Sequence, residues 1–398
     1  MAASMVPVLI TAMIVQLEFS VSTAGGVATA MTLASVIAMG LTGRFVHRFS
    51  RPRIARTGLG VMAIGFGLGA AASNNGPVVG MGIVIGGIGV GLVVGSAIAA
   101  SAVTENPDRT TTLVMVVNRA VAAAILLATP LFQNDLRLLL AALAGIALLG
   151  MIFAGGLPNL PSEAHARGAV QGPPQNLGIG IIVAGLAFAW SATEDMVYAM
   201  ALLLGEAAGV TPDAAGMLLA LQVSGGILGG IVAPFLIRGL GRGWAIAVVV
   251  VVSTAAKYLL VTTSSAAIYA VSIVSWGVTY GAALVLILGL AAKLDVTGRV
   301  GVFVSTGQLL GVALGPVTGG FLFESVSPVV FGTVVAIPSL IAGAWLFVIS
   351  RGNSELDRYA NRSLTTAVTT VHGFTEPVQP AAPGLGATPK NTDPEETR

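Results

Sequence analysis

The sequence predicts an all-α membrane protein whose helices form two halves of six. Apolar residues make up 55% of the chain and charged residues only 9%, whereas soluble domains carry roughly 25% charged residues. The charges lie almost entirely in short segments between apolar runs of about 20 residues, the length at which a helix crosses a bilayer. Because these runs lack a two-residue alternation, we expect helices rather than a closed barrel to satisfy the backbone within the membrane.

Twelve apolar runs are interpreted as membrane spans. They cover residues 2–17, 21–44, 54–73, 77–103, 111–132, 136–157, 178–204, 212–237, 244–263, 266–292, 300–323 and 327–350. A linker rich in proline and glycine, residues 158–177, separates a first half at 1–157 from a second half at 178–350. Residues 351–398 are rich in proline, threonine, alanine and charge, so we predict a disordered tail.

The first predicted span is short. Its 16 residues reach about 24 Å at ~1.5 Å per residue, less than the ~30 Å hydrocarbon core. We favour a first helix that is truncated at its N-terminus, so that upstream codons continue the apolar frame by roughly 5–15 residues. The alternative is a helix end that tilts or thins the bilayer.

The distribution of the basic residues indicates how the chain is oriented in the membrane. Sixteen of the 19 lysines and arginines fall in the even-numbered loops or the C-terminal tail, while the net charge is only +2. The positive-inside rule makes that side cytoplasmic, which predicts a cell-membrane protein with both termini in the cytoplasm. Scattered basic residues of this kind do not predict a nucleic-acid partner.

Composition also argues against an enzyme. The chain has no cysteine, which excludes disulfide and thiolate chemistry. Its three histidines, His47, His165 and His372, all fall in predicted loops or the tail. No nucleophile–base arrangement is visible, and we expect neither a metal nor a cofactor.

The loop after span 2 carries the most specific motif. It reads Gly43-Arg44-Phe45-Val46-His47-Arg48-Phe49-Ser50-Arg51-Pro52-Arg53. This resembles the signature loop of the major facilitator superfamily, G-x-L-x-D-R-x-G-R-[RK], at Gly43, Arg48 and Arg51. His47 stands where the family has aspartate. The resemblance implies a gating loop that latches the cytoplasmic side, with the charged part of the latch altered by His47.

Two further segments support a repeat. The loop Pro234-Phe-Leu-Ile-Arg-Gly-Leu-Gly-Arg242 is a weaker echo of the first loop, as expected of two homologous halves with a site at their interface; a chance basic loop is the alternative. Gly307, Gly311, Gly315 and Gly319 in span 11 recur every four residues, a spacing that predicts close helix packing.

Polar residues within spans are costly and suggest function. Arg119 and Asn118 lie in span 5, Glu194 and Asp195 in span 7, and Lys257 in span 9. The resemblance implies that spans 1, 4, 7 and 10 line a central cavity, that spans 2, 5, 8 and 11 flank it, and that spans 3, 6, 9 and 12 face lipid. Arg119 and Glu194 would then reach the cavity, whereas Lys257 is expected to extend its ammonium to the outer headgroups.

Each cavity charge has a second interpretation. Arg119 can bind an anionic group of a substrate, or it can form a structural ion pair. A desolvated Glu194 can carry a proton; alternatively, Glu194 and Asp195 line a wet vestibule and stay ionised.

Neutral and aromatic candidates complete the predicted site. Trp190, Glu194 and Tyr198 share one face of span 7 at four-residue spacing, and Trp276 and Tyr280 share one face of span 10. Gln222 in span 8 and Gln308 in span 11 add hydrogen-bonding groups at depth. Helix packing is the alternative role for the aromatic residues.

We therefore expect a monomeric secondary transporter that moves a small molecule by alternating access of its two halves. The resemblance implies proton coupling. Because the candidates are mainly aromatic and amide residues, efflux of a small, partly apolar compound is the first expectation. Uptake of a small organic anion, indicated by Arg119, is one alternative, and a membrane sensor or scaffold that does not transport is another.

The charge asymmetry makes a topological prediction. In this cysteine-free chain, a single cysteine at Ser264 should react with an impermeant thiol reagent added to intact cells, whereas one at Ser162 should not. Labelling after permeabilisation is the control for reactivity. The reverse pattern would overturn the predicted orientation.

Overall fold

Helices are the only regular secondary structure in the part of the chain described by a computed structural model, namely residues 2–45, 49–101, 104, 107–129, 135–158, 177–294 and 299–372. The first six helices are α1 Val6–Leu17, α2 Val21–Phe45, α3 Arg51–Ala71, α4 Gly76–Ser101, α5 Pro107–Leu127 and α6 Leu136–Phe153. The others are α7 Leu177–Ala199, α8 Ala201–Ala207, α9 Pro212–Leu240, α10 Arg242–Thr262, α11 Ala266–Leu294, α12 Arg299–Ser325 and α13 Pro328–His372.

Ten helices among the described residues are long and apolar enough to cross a membrane. Predicted spans 1 and 5 correspond to shorter apolar helices, Val6–Leu17 and Val116–Leu127. A single turn of 3₁₀ helix, Ala2–Met5, precedes α1. The apolar runs thus identify all of the long helices in the sequence order that we predicted.

Two boundaries differ from the prediction. Predicted span 7, residues 178–204, is interrupted at Met200, so α7 is followed by the short helix α8. Helices α9–α13 therefore correspond to spans 8–12. The last helix continues to His372, although we predicted a disordered tail from residue 351. The reason lies in the composition of this stretch, because no proline follows Pro338 until Pro377 and the segment between them can stay helical.

The chain divides into two units, Met1–Arg351 and Gly352–Arg398. The described part of the second unit is the end of α13. Within the first unit, α3 packs against α4 and α6, while α7 packs against α12 and α9 against α11. The predicted halves meet where α2 contacts α12 and where α5 contacts α9.

Glycine faces bring these helices close together. A Cβ atom added at Gly307, Gly311 or Gly319 of α12 would collide with backbone carbonyl oxygens of α7. The prediction that this four-residue glycine spacing mediates close packing is confirmed.

The contact between α2 and α12 is polar at Pro316. Proline lacks an N–H group, which interrupts the hydrogen bonds within a helix. Next to it, the Val317 N–H donates to the Thr29 hydroxyl of α2 at 3.0 Å. The Thr32 hydroxyl lies 3.3 Å from the Ala313 carbonyl and 3.0 Å from the Ala28 carbonyl of its own helix. Two threonines of the first half are therefore hydrogen-bonded to the backbone of α12, at the point where Pro316 interrupts the hydrogen bonds of that helix.

A second contact between the halves lies near the predicted outer face. The Glu324 carboxylate, close to the end of α12, accepts a hydrogen bond from the Val21 N–H at the start of α2. A carboxylate in this position satisfies a free N–H group and complements the positive end of the helix dipole. Glu324 of the second half thus caps the N-terminus of α2 in the first half.

The contact at Pro316 predicts a stability effect. Thr29→Val should lower the free energy of unfolding by about 1–3 kcal/mol, because the Val317 N–H loses a buried acceptor. Thermal unfolding of the purified protein in detergent measures this difference. Thr306→Val is the matched control, since its exposed hydroxyl donates only to the Val302 carbonyl of its own helix. Equal changes in the two variants would show that the bond between the halves contributes nothing.

Candidate functional site

A cavity of about 180 Å³ lies between the two predicted halves. It is lined by Ser4, Asn118, Arg119, Glu194, Asp195, Tyr198, Gln222, Trp276, Tyr280 and Val312. The first three residues belong to the first half and the others to the second. Seven of the nine residues that we predicted for the substrate site thus surround one cavity: Asn118, Arg119, Glu194, Tyr198, Gln222, Trp276 and Tyr280.

Beside the cavity, Glu194 forms a buried ion pair. Its Oε1 lies 2.7 Å from Nζ of Lys257, and the two side chains are 1% and 0% exposed. The prediction that Lys257 extends to the outer headgroups is therefore wrong. In a desolvated interior, an ammonium group is stable only when it is paired and hydrogen-bonded, and Glu194 on α7 supplies the partner.

Hydroxyl groups complete the surroundings of this pair. Lys257 Nζ donates to Ser339 Oγ at 2.9 Å, and Thr193 Oγ1 lies 3.3 Å from the same nitrogen. Ser253, one helical turn before Lys257 on α10, donates to Glu194 Oε1 at 3.3 Å. The network therefore joins α7, α10 and α13, although the resemblance placed spans 9 and 12 against lipid.

Trp276 connects the ion pair with the cavity. Its indole N–H donates to Glu194 Oε2, while the residue also lines the cavity wall. The ring of Tyr198 meets that of Trp276 edge to face at 6.2 Å, and the Tyr198 hydroxyl donates to the Ser4 carbonyl at 2.7 Å. A ligand that moves Trp276 would therefore disturb the Glu194 carboxylate directly.

Arg119 lies on a stack of aromatic rings. Its guanidinium carbon is 5.5 Å from the centre of the Tyr280 ring, an arrangement typical of cation–π contacts. On α7, Trp190 stacks with Tyr280 at 5.5 Å and an interplanar angle of 19°. Trp190, a predicted site residue, is 1% exposed and supports Tyr280 without lining the cavity itself.

Asp195 is the cavity residue that sequence reasoning weighted too lightly. It is partly exposed and lines the same cavity as Glu194 and Arg119. Among the described residues, no hydrogen bond or ion pair to its carboxylate is present. Its position next to Glu194 concealed its role, because neighbouring helical residues usually face different directions.

The two predicted glutamines have different positions. Gln222 lines the cavity and is 4% exposed, and its Oε1 has no hydrogen-bond donor among the described residues. Gln308 is not among the lining residues that the structure describes. It lies four residues, about one helical turn, before the cavity residue Val312, so its place in the substrate site stays a prediction.

The predicted gating loop is described only in part. Val46, His47 and Arg48 lie outside the described residues, as do the surroundings of Gly43 at the end of α2. Arg51 begins α3, is 5% exposed, and has Nη1 at 3.4 Å from the Pro158 carbonyl. This contact joins the start of α3 to the start of the predicted linker, and the role of the loop as a latch stays a prediction.

Breaking the ion pair should be costly, whereas replacing both partners should not. Lys257→Met leaves the Glu194 carboxylate buried without its cation and should lower the free energy of unfolding by about 3–5 kcal/mol. Adding Glu194→Gln to that variant should restore most of the loss. Thermal unfolding of the two single variants and the double variant tests this, with Lys293→Met on the exposed end of α11 as the control. Additive losses would show that the two residues act independently.

Comparison with known proteins agrees with this arrangement. A solved nucleoside transporter, NupG, superposes with a TM-score of 0.63 at 15% identity, over 90% of this chain and 95% of that one. A D-xylose-proton symporter superposes with a TM-score of 0.65 at 16% identity, over 87% of this chain and 93% of that one. The inward-open xylose transporter XylE from E. coli gives a TM-score of 0.68 at 14% identity, over 87% and 92%.

At such low identity, these structures establish the fold alone. No curated protein matches the sequence significantly. The family model of the Major Facilitator Superfamily, however, matches residues 1–301, more than half of the chain. The protein therefore belongs to the Major Facilitator Superfamily and is a multi-pass membrane transporter rather than an enzyme.

Proposed function

We propose that this transporter moves a small polar molecule through the cavity between its halves, with Glu194 as the proton-coupling carboxyl group. One observation carries the proposal: a cavity lined by both halves touches a carboxylate that is paired with a buried cation. A site at the interface of two repeats is accessible from either side when the halves rock.

The contacts of Glu194 are the basis on which we propose that proton binding is coupled to substrate binding. Protonation of its carboxylate would remove the anion that stabilises the buried Lys257 ammonium, a change worth several kcal/mol unless the helices rearrange. Trp276 donates to the same carboxylate and lines the cavity. A substrate in the cavity and a proton on Glu194 would therefore act on one set of contacts among α7, α10, α11 and α13.

The polarity of the cavity argues for a polar substrate. Arg119, Asp195, Gln222 and Asn118 face it together with aromatic rings. The solved relatives are described as a nucleoside transporter and a D-xylose-proton symporter, and both descriptions fit polar solutes. Their identity to this chain is too low to transfer either substrate.

Efflux of a small, partly apolar compound is the second candidate. It is favoured by Tyr198, Trp276 and Tyr280, whose rings form part of the wall and can pack against an apolar group. Uptake of an organic anion is favoured less, because the Asp195 carboxylate lines the same cavity as Arg119 and would repel an anion. We further propose a cell-membrane location with both termini in the cytoplasm, and a monomer as the working unit.

Counterflow in proteoliposomes tests transport and separates it from a sensor or scaffold. Nucleosides, pentoses, amino acids and apolar amines would first be screened by thermal shift, because binding stabilises the native state. A labelled hit should then exchange into liposomes preloaded with the unlabelled compound. A compound that binds but never exchanges would contradict a transport function.

The double variant Glu194→Gln with Lys257→Met tests coupling. It removes the titratable carboxyl group without leaving a buried charge, so the protein should stay folded and keep counterflow, which needs no net proton movement. Accumulation driven by a pH gradient should be lost. Lys293→Met is the control for both assays, and unchanged gradient-driven accumulation in the double variant would exclude Glu194 from coupling.

A further inference from the structure

We infer that the substrate is a small zwitterion of the size of an α-amino acid, with its carboxylate on Arg119 and its ammonium on Asp195; this inference rests on the proposed transport function. The argument starts from charge. Glu194 is neutralised by Lys257 at 2.7 Å. The fixed charges left on the cavity wall are therefore one cation and one anion, Arg119 and Asp195.

These two charged residues line one cavity but are not joined. No hydrogen bond or ion pair between Arg119 and Asp195 is present within the part of the chain that the structure describes, and both residues face the same cavity. Both side chains are partly exposed. Opposite charges that share a cavity without pairing are complementary to a molecule that carries both charges at a short separation.

The two charges also lie on different halves. Arg119 is on α5 and Asp195 is on α7. A zwitterion would thus bridge the two halves, whereas a simple anion or a simple amine would satisfy only one side and leave the other charge unpaired at a cost. Binding of a molecule with both groups would therefore favour states in which the halves are close.

Further acceptors suit an ammonium group, which has three N–H donors. Gln222 Oε1 is buried at the cavity wall and lacks a donor among the described residues. The Val312 carbonyl cannot accept from residue 316, because proline has no N–H, and Val312 lines the same cavity. Asp195, Gln222 and Val312 all belong to the second half, so the acceptors lie on one side.

Cavity size limits the substrate. An apolar cavity of about 150 Å³ is known to hold benzene, which has six non-hydrogen atoms, so about 180 Å³ corresponds to roughly seven. Small amino acids such as serine, with seven, and valine, with eight, are closest to this size, and leucine, with nine, lies slightly above it. The rings of Tyr198 and Trp276 are available for an apolar side chain of this size.

The experiment compares each amino acid with two analogues, one that lacks the carboxylate and one that lacks the ammonium group. Thermal shift of the purified full chain is measured with the twenty standard amino acids, and for each hit with the amine and the acid that lack one charged group. For L-leucine these are 3-methylbutylamine and 4-methylpentanoate. We expect at least one amino acid to bind, with both analogues about ten- to a hundred-fold weaker.

Charge variants give a crossed pattern that a structural role would not. Asp195→Asn should weaken the amino acid about ten- to a hundred-fold and spare the acid, whereas Arg119→Gln should weaken the amino acid equally and spare the amine. Asp213→Asn and Arg238→Gln, on exposed parts of α9, are the matched controls. If either test variant does not fold, Asp195→Glu and Arg119→Lys replace it.

Three results would overturn the inference: no amino acid binds, an analogue binds as tightly as its amino acid, or both variants weaken all three compounds equally. The last result would make Arg119 and Asp195 a structural pair. The proposed function is judged separately by counterflow. A neutral or singly charged compound that binds and exchanges would exclude the zwitterion and leave transport standing, whereas a bound amino acid that never exchanges would contradict transport alone.

Discussion

The structure depends on one constraint, which is that a polar group inside a bilayer must find its partner within the protein. Hydrogen bonds within helices satisfy most backbone N–H and C=O groups, and side chains provide partners for the polar groups that remain. At the Pro316 interruption of α12, Thr29 of the opposite half accepts the Val317 N–H. The Lys257 ammonium is held by Glu194 and by hydroxyl groups of α7 and α13. These internal partners hold together helices that have no hydrophobic driving force to associate within lipid.

The same constraint bears on the cavity, because one buried polar atom without a hydrogen-bond partner among the described residues, Gln222 Oε1, lies on its wall. The Gln222 oxygen and the Asp195 carboxylate, neither with a donor in the described chain, share one wall with Arg119. An unsatisfied buried polar atom is costly, and under our proposal a bound substrate supplies the donor that Gln222 Oε1 lacks. Trp276 joins this wall to the Glu194 carboxylate, the group at which we propose that substrate and proton act together.

Sequence reasoning was right about features that depend on residues close together in the chain, such as helix positions. It was wrong about the position of Lys257, which depends on contacts between helices. Hydropathy located the long helices, and glycine spacing identified the face of α12 that packs on α7. The position of Lys257 was wrong because an ammonium on a long stem can reach either headgroups or an internal anion. Only the packing of α10 against its neighbours brings Glu194 within 2.7 Å. Gln308 lies about one helical turn from the cavity residue Val312, which is the size of the error that predicted helix boundaries carry.

The amino-acid sequence by itself determined the helical membrane architecture, the order of its helices, the family and the residue types available for a polar site. These follow from hydrophobicity, charge and spacing, which act along the chain. The tertiary structure alone decided which intramembrane charges neutralise each other and which face the cavity. Glu194 and Asp195 are adjacent in sequence and equal in formal charge, yet one is paired with Lys257 and the other lines the cavity beside Arg119 without an ion pair among the described residues. Partner choice depends on distances between helices that are far apart in sequence, and no local pattern encodes those distances.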